Sequence, residues 1–108
     1  MVFTYLILNF ETYWETIDCV SSIIKCIGKL GKSDNIGEFD VVNNIVIVDN
    51  GSKNNSLEYL QKEYESNENV FILKNEYNLG FARGNNVGFL YAKNILLSDF
   101  IVMINSDI

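Results

Sequence analysis

Polar segments follow apolar runs at four places in this chain. They are Asn9, the segment 49–52 (Asp-Asn-Gly-Ser), the loop 74–81 and the segment 105–107 (Asn-Ser-Asp). Three of them carry a carboxylate, and all four carry an amide. Because an α/β sheet usually places its chemistry at the carboxyl ends of its strands, we expect these segments to line one edge of a sheet.

The segment 49–52 is typical of a sharp turn that leaves a strand, since Asn50-Gly51 can adopt positive φ. Asp49 can accept hydrogen bonds from a base or a sugar hydroxyl, and Ser52 offers a second polar contact. The alternative is a turn that is held by its own side-chain to backbone hydrogen bond.

Glycines recur every four residues at Gly80, Gly84 and Gly88. On a helix this spacing leaves one face bare, so that the backbone can approach a neighbouring strand or a ligand. A glycine-rich helix start also offers free N–H groups to an anion, and Arg83 adds a positive charge there. The alternative is tight helix packing beside a solvated arginine.

The segment Asn105-Ser106-Asp107 is a candidate metal site. Mg²⁺ or Mn²⁺ commonly takes only one or two protein carboxylates, and substrate phosphates and water complete the shell. Asp107 is therefore the candidate ligand, and a surface turn is the alternative.

Apolar runs and helical periodicity predict an alternating order, βαβαβαβ. Strands are predicted at 3–8, 44–48, 70–73 and 100–104, and helices at about 13–30, from 54–56 to about 65, and at about 82–97. Thr12 and Glu15 have the spacing of a capping box at the first helix. Continuous apolar strands between helices favour a mostly parallel sheet that is covered on both faces, a three-layer α/β/α fold in a single domain.

Composition excludes several classes of function. The chain has fourteen acidic and eight basic residues, a net charge of −6. This balance argues against a general nucleic-acid surface, because clustered Lys and Arg drive phosphate binding. The chain has no His, which excludes His-based triads and most zinc sites. Asn9-Phe10-Glu11-Thr12 lacks the glycine of a dinucleotide-binding turn.

The two cysteines and the N-terminus indicate a reducing compartment. Cys19 and Cys26 would lie about 10 Å apart on the first helix, too far to pair, and we expect both on its buried face. The N-terminus lacks the charged region of a signal peptide, and no apolar run reaches the length of a membrane span. We therefore expect a cytoplasmic protein.

Together these motifs resemble the inverting family 2 glycosyltransferases of the GT-A fold, especially their rhamnosyltransferase-like branch. The segment 7–10 is similar to the opening strand of the family, and 48–52 to its nucleotide-contacting turn. The segment 78–86 is similar to its N-x-G-F-A-x-G-N-N motif, and 105–107 to its D-x-D motif, with Asn105 in place of the commoner Asp. The resemblance covers essentially the whole chain.

The resemblance implies roles for individual residues. Asn9 and Asp49 would contact the nucleoside, Arg83 and Asn85 would lie along the donor, and Asp107 would hold Mg²⁺ or Mn²⁺ on the diphosphate. The neutral Asn105 would weaken the metal site. The residues expected to bind the nucleotide or donor are Asn9, Asp49, Asn50, Ser52, Gly80, Arg83, Asn85 and Asn105.

The resemblance also implies a larger parent enzyme, a hexosyltransferase of cell-surface polysaccharide biosynthesis. Its donor would be a UDP- or dTDP-sugar and its acceptor a saccharide, and it could lie peripherally at the inner face of the membrane. Residues 1–108 would form the donor-binding half, ending after the D-x-D-like motif. The acceptor half and its catalytic base would be absent, so we expect no transfer by these residues alone.

The sequence also leaves a rival function open. The rival function is a non-catalytic α/β ligand-binding or regulatory module, and metal-dependent nucleotide binding would discriminate against it.

By resemblance, the spatial order of the four predicted strands is 3-2-1-4. The strand 100–104 would then be an edge, through which we expect the chain to self-associate. We also expect Asp49→Ala to weaken nucleotide binding while leaving stability nearly unchanged.

Overall fold

Strands and helices alternate along the chain, as the apolar runs predict. The computed structural model describes residues 1–32 and 41–106. The elements in these ranges are β1 (Val2–Asn9), α1 (Tyr13–Ile27), β2 (Gly31–Lys32), β3 (Val42–Asn50), α2 (Ser56–Glu63), β4 (Val70–Asn75), α3 (Phe81–Asn94) and β5 (Phe100–Ile104).

The four long strands form a parallel sheet in the order β4-β3-β1-β5. This is the predicted order 3-2-1-4, which is confirmed. Asn9 pairs in register with Asp49, and Asn50 with Asn75. The carboxyl ends of β1, β3 and β4 therefore meet at one edge, which we call the carboxyl edge.

The sheet is covered on both faces, which explains why its central strands are apolar throughout. Ile45 and Ile47 pack in a core with α1 and α2, whereas Val46 and Val48 pack in a second core on the side of α3. Because successive side chains of a strand point to opposite faces, this alternation carries Asp49 towards α1 and the next residue, Asn50, towards α3. The predicted three-layer arrangement is confirmed.

Several boundaries differ from the prediction. The strand predicted at 44–48 extends over Val42–Asn50, because buried amides and a carboxylate continue it at both ends. β2 was not predicted, since its two residues contain no apolar run; it pairs antiparallel with the start of β3. α1 ends at Ile27, where Gly28 adopts a φ of 82°.

The predicted capping box at α1 does not form. The Thr12 side chain makes no cap hydrogen bond. Instead, the Thr12 backbone carbonyl accepts from the Glu15 N–H at 3.0 Å. The helix start is thus closed by backbone alone.

Both cysteines are free, as expected from their spacing, but only one lies against the core. Cys19 is partly buried and packs against the core beside α1, whereas Cys26 is exposed. The prediction that both lie on the buried face is therefore wrong for Cys26.

β5 is the edge strand beyond β1, as predicted. Its apolar side chains are not covered as the sequence pattern suggests, because Phe100, Val102 and Met103 are 50%, 41% and 61% exposed. Among the described residues, no helix has the length and apolar character that crossing a membrane requires.

Candidate functional site

Asp49 is the buried carboxylate of the carboxyl edge. It is 1% exposed. Its Oδ1 accepts hydrogen bonds from Asn9 Nδ2 at 2.9 Å and from Ser52 Oγ at 2.6 Å. From the described residues, its Oδ2 accepts only a long bond from the Ser52 N–H, at 3.4 Å. A carboxylate has about four acceptor positions, so Oδ2 keeps capacity for a further donor.

Asn9 orients this carboxylate, and its own amide is fully engaged. Its Oδ1 accepts from Thr16 Oγ1 at 2.7 Å, while its Nδ2 faces Asp49 and, at 3.5 Å, Ser52 Oγ. Asn9 and Thr16 are both fully buried. The structure thus brings Asn9, Asp49 and Ser52 together as predicted, with both polar atoms of the buried Asn9 amide already hydrogen-bonded within the protein.

Glu11 joins the loop after β1 to the turn after β3. Its N–H donates to Ser52 Oγ at 2.8 Å, and its carboxylate accepts from the Lys53 N–H at 3.0 Å. Asn54 Nδ2 donates to the Glu11 carbonyl at 2.9 Å. Glu11 and Thr16 are not among the predicted site residues, since neither directly ends an apolar run. Their signal is their position just after Asn9, at the start of α1.

On the opposite face, Asn50 is bound to the loop that precedes α3. This side chain is 1% exposed. It hydrogen-bonds to Asn75, Asn78, Leu79 and Gly80. The predicted donor-binding residues Asn50 and Gly80 are therefore in direct contact with each other.

The start of α3 is open to an anion. Gly80 precedes the helix with φ 83°, no side chain caps the first turn, and that turn contains no acidic residue. The first N–H groups of a helix have no intrahelical partner, and its dipole favours negative charge there. Arg83 is exposed in this first turn and makes no ion pair with any residue in the described ranges.

Asn85 and Asn105 share a small cavity beside this helix start. The cavity has a volume of about 140 Å³, and Phe81 and Met103 also line it. Asn85 is only 7% exposed. Within residues 1–32 and 41–106 no group hydrogen-bonds to its amide, which therefore has its polar atoms available to a ligand in the cavity.

The glycines of α3 serve close packing. A Cβ at position 88 would lie 2.2 Å from Leu6 Cδ1 and 2.8 Å from Val48 Cγ2. The predicted close approach of helix backbone to strand is thus confirmed for Gly88.

Asp107, the predicted metal ligand, lies outside the described residues. Among those described, no group of three or more His, Cys, Asp or Glu side chains is placed to hold a metal ion. The nearby Asn105 is exposed and supplies one amide oxygen. A metal site at this edge therefore depends on Asp107 and stays a prediction.

Comparison with known proteins agrees with this geometry. The crystal structure of S. aureus TarS 1-349 matches with a TM-score of 0.70 at 19% sequence identity, over 99% of this chain and 28% of that chain. At this identity the likeness shows the fold alone, and the predicted GT-A fold is confirmed. No curated protein matches the sequence significantly.

The sequence itself identifies the family. The model described as "Glycosyl transferase family 2" matches residues 17–108, well over half of the chain. This chain belongs to glycosyl transferase family 2.

Proposed function

We propose that this chain binds the nucleotide-sugar donor of a glycosyltransferase that transfers a hexose, with inversion, to a saccharide acceptor. The observation that carries the proposal is the carboxyl edge of this family 2 sheet. Here the buried carboxylate of Asp49 ends β3, and the adjacent helix α3 has an uncapped start. The same helix carries Asn85, whose amide has no hydrogen-bond partner among the described residues. The motif resemblance supports the rhamnosyltransferase-like branch and cell-surface polysaccharide synthesis.

In this proposal, Asp49 and Ser52 form the nucleoside end of the site. Asp49 Oδ2 has the acceptor capacity that a base N–H or a ribose hydroxyl requires. Because Asp49 is buried, a ligand can contact its carboxylate directly only when the turn 51–52 moves slightly. Asn9 acts through Asp49, because its amide is buried and bonds to Asp49, Ser52 and Thr16.

The diphosphate lies at the start of α3. The open N–H groups of the first turn and the guanidinium of Arg83 complement its negative charge. Asn85, buried and without a hydrogen-bond partner in the described ranges, completes this side of the site from within the cavity that it shares with Asn105.

A divalent cation, Mg²⁺ or Mn²⁺, is proposed to be held by Asp107, with Asn105 as the other polar ligand candidate of the same motif. When bound, such an ion would neutralise the charge of the leaving diphosphate. Hard oxygen donors of this kind suit either ion, with phosphate oxygens and water in the remaining positions.

The parent protein is proposed to be larger than these 108 residues. The chain spans 28% of the TarS chain that it resembles. We propose that residues 1–108 supply the donor half, and that the general base, which deprotonates the acceptor hydroxyl, belongs to an acceptor half elsewhere. The family resemblance favours a cytoplasmic site of action, at or near the inner face of the membrane.

Self-association through β5 is also part of the proposal. An edge strand presents unpaired backbone groups, and the exposed side chains of Phe100, Val102 and Met103 add apolar surface there.

Titration calorimetry tests donor binding. UDP and dTDP should bind weakly, and more tightly with Mn²⁺ or Mg²⁺ than with EDTA, whereas ADP serves as the matched diphosphate control. Equal affinity with the metal and with EDTA would overturn the metal role. Absence of any binding by UDP and dTDP would overturn the proposed function.

A further inference from the structure

The side chain of Asn50 joins β3 to β4 and to the loop before α3. Its Oδ1 accepts from Asn75 Nδ2 at 3.0 Å and from the Leu79 N–H at 3.1 Å. Its Nδ2 donates to Asn78 Oδ1 at 3.0 Å and to the Gly80 carbonyl at 3.3 Å. A carboxamide has two donor and two acceptor positions, so Asn50 has none left for a ligand.

Gly84 allows α3 to lie directly on this amide. A Cβ at position 84 would be 2.8 Å from Asn50 Nδ2 and 3.0 Å from its Oδ1. A side chain at 84 would therefore have to displace Asn50 or push the helix away. The amide thus contacts both the loop before α3 and the first turns of the helix.

The loop itself is largely open to solvent. Asn78 and Gly80 are exposed, and the start of α3 has no side-chain cap. Asn78 Oδ1 accepts from the Gly80 N–H at 2.7 Å and from Asn50, so the two amides form one scaffold.

The neighbouring turn meets the same loop through backbone. Gly51 adopts φ +75°, and a Cβ there would lie 2.3 Å from the Tyr77 carbonyl carbon. The turn after β3 therefore holds this loop from two adjacent positions, with the Asn50 side chain and with the Gly51 backbone.

We propose that Asn50 is a positioning residue that fixes the loop 75–80 and, through it, the helix start that carries Arg83 and Asn85. The inference rests on the proposed function, because donor binding is the property that this position serves. It replaces the expectation that Asn50 touches the donor.

Asn50→Ala tests the proposal, with Asn44→Ala as the matched control. Asn44 is a buried asparagine of the same strand, but it lies near the opposite edge, where it accepts from Asn69 Nδ2 at 2.7 Å. Gly84→Ala is a second test, since it perturbs the Asn50 amide without removing it. Amide hydrogen exchange at Leu79 and Gly80 reports on the loop, and UDP calorimetry below the unfolding transition reports on the site.

For Asn50→Ala we expect faster exchange at Leu79 and Gly80 and UDP affinity reduced roughly tenfold, the scale of one or two lost hydrogen bonds. Gly84→Ala should change both readouts in the same direction, and it carries the test if Asn50→Ala does not fold. Asn44→Ala should lower the melting temperature and leave both readouts unchanged.

Three results would overturn the inference: unchanged exchange at Leu79 in the Asn50 variant, a loosened loop with unchanged UDP affinity, or an equal loss of affinity in Asn44→Ala. If the unmodified chain does not bind UDP, the proposed function fails separately. Hydrogen exchange at Leu79 and Gly80 then decides alone whether Asn50 holds the loop.

Discussion

At the scale of single residues, the carboxyl edge separates groups that hold the site from groups that are free to bind. The position of a polar residue after an apolar run was sufficient to predict that Asn9, Asp49 and Ser52 meet. It was not sufficient to assign their roles. Whether a side-chain amide is already hydrogen-bonded within the protein depends on partners that are distant in sequence. Thr16, whose Oγ1 donates to the side-chain Oδ1 of Asn9, lies within a helix and gives no such signal.

Asp49→Ala should weaken UDP binding by about 1–3 kcal/mol, the scale of hydrogen bonds to a charged group. The structure changes the expectation for stability. Removing the carboxylate leaves Asn9 Nδ2 and Ser52 Oγ without their acceptor, so the free energy of unfolding should also fall, by about 1–3 kcal/mol. Urea denaturation and calorimetry measure the two effects.

Asp18→Ala is the matched control, because Asp18 is an exposed carboxylate of α1. It should change neither quantity. A variant of Asp49 that loses stability but binds UDP normally would restrict Asp49 to a structural role.

The two thiols should differ in reactivity. Burial raises the pKa of the Cys19 thiol above its ordinary value, so less thiolate is present at mildly alkaline pH, and access is reduced as well. Cys26 is exposed. Iodoacetamide at pH 8 should therefore modify Cys26 first, as peptide mass spectrometry would show; faster modification of Cys19 in the folded chain would contradict the packing of α1.

At the scale of elements, strong apolar runs predicted every long strand and all three described helices. The prediction failed where tertiary contacts override local pattern. β2 has two residues, Gly31 and Lys32, and exists because β3 offers them a partner. Asn43 is polar, yet it is buried in β3, so the apolar pattern placed the start of this strand at 44 and not at Val42.

Gly88→Ala should destabilise the fold although alanine favours helix. The new Cβ would lie too close to Leu6 and Val48, and overpacking of this kind typically costs about 1–3 kcal/mol. Asn86→Ala, at an exposed position of the same helix, is the control and should be neutral or slightly stabilising. Thermal denaturation compares them, and an unchanged or higher melting temperature for Gly88→Ala would refute the close packing.

At the scale of the whole molecule, the order of the strands decides which surface is left open. The order 3-2-1-4 followed from resemblance to a family, since periodicity alone does not specify which strands are neighbours. The sequence pattern suggested a β5 covered on both faces, but Phe100, Val102 and Met103 of this edge strand are exposed. Apolar sequence in this strand therefore does not mean buried side chains.

The chain should self-associate through β5 at high concentration. Val102→Lys should shift light scattering towards the monomer, because a charge on an exposed edge strand disfavours pairing. Leu90→Lys is the control. Leu90 is similarly exposed but lies on α3 near β4, at the edge of the sheet opposite β5. A strictly monomeric chain, or an equal effect of both variants, would contradict assembly through this edge.

We propose that a nucleotide-sugar donor binds at the carboxyl edge of the sheet, and amide NMR shifts during a titration with UDP and Mg²⁺ give the sharpest test. The largest shifts should fall in the turn 49–52 and at the start of α3, around Arg83 and Asn85. The amino edge, where the parallel strands begin, is reported by Asn69 and Ser98, and the shifts of these amides should stay unchanged. Saturable shifts centred on the amino edge, or no shifts at any residue, would contradict the account.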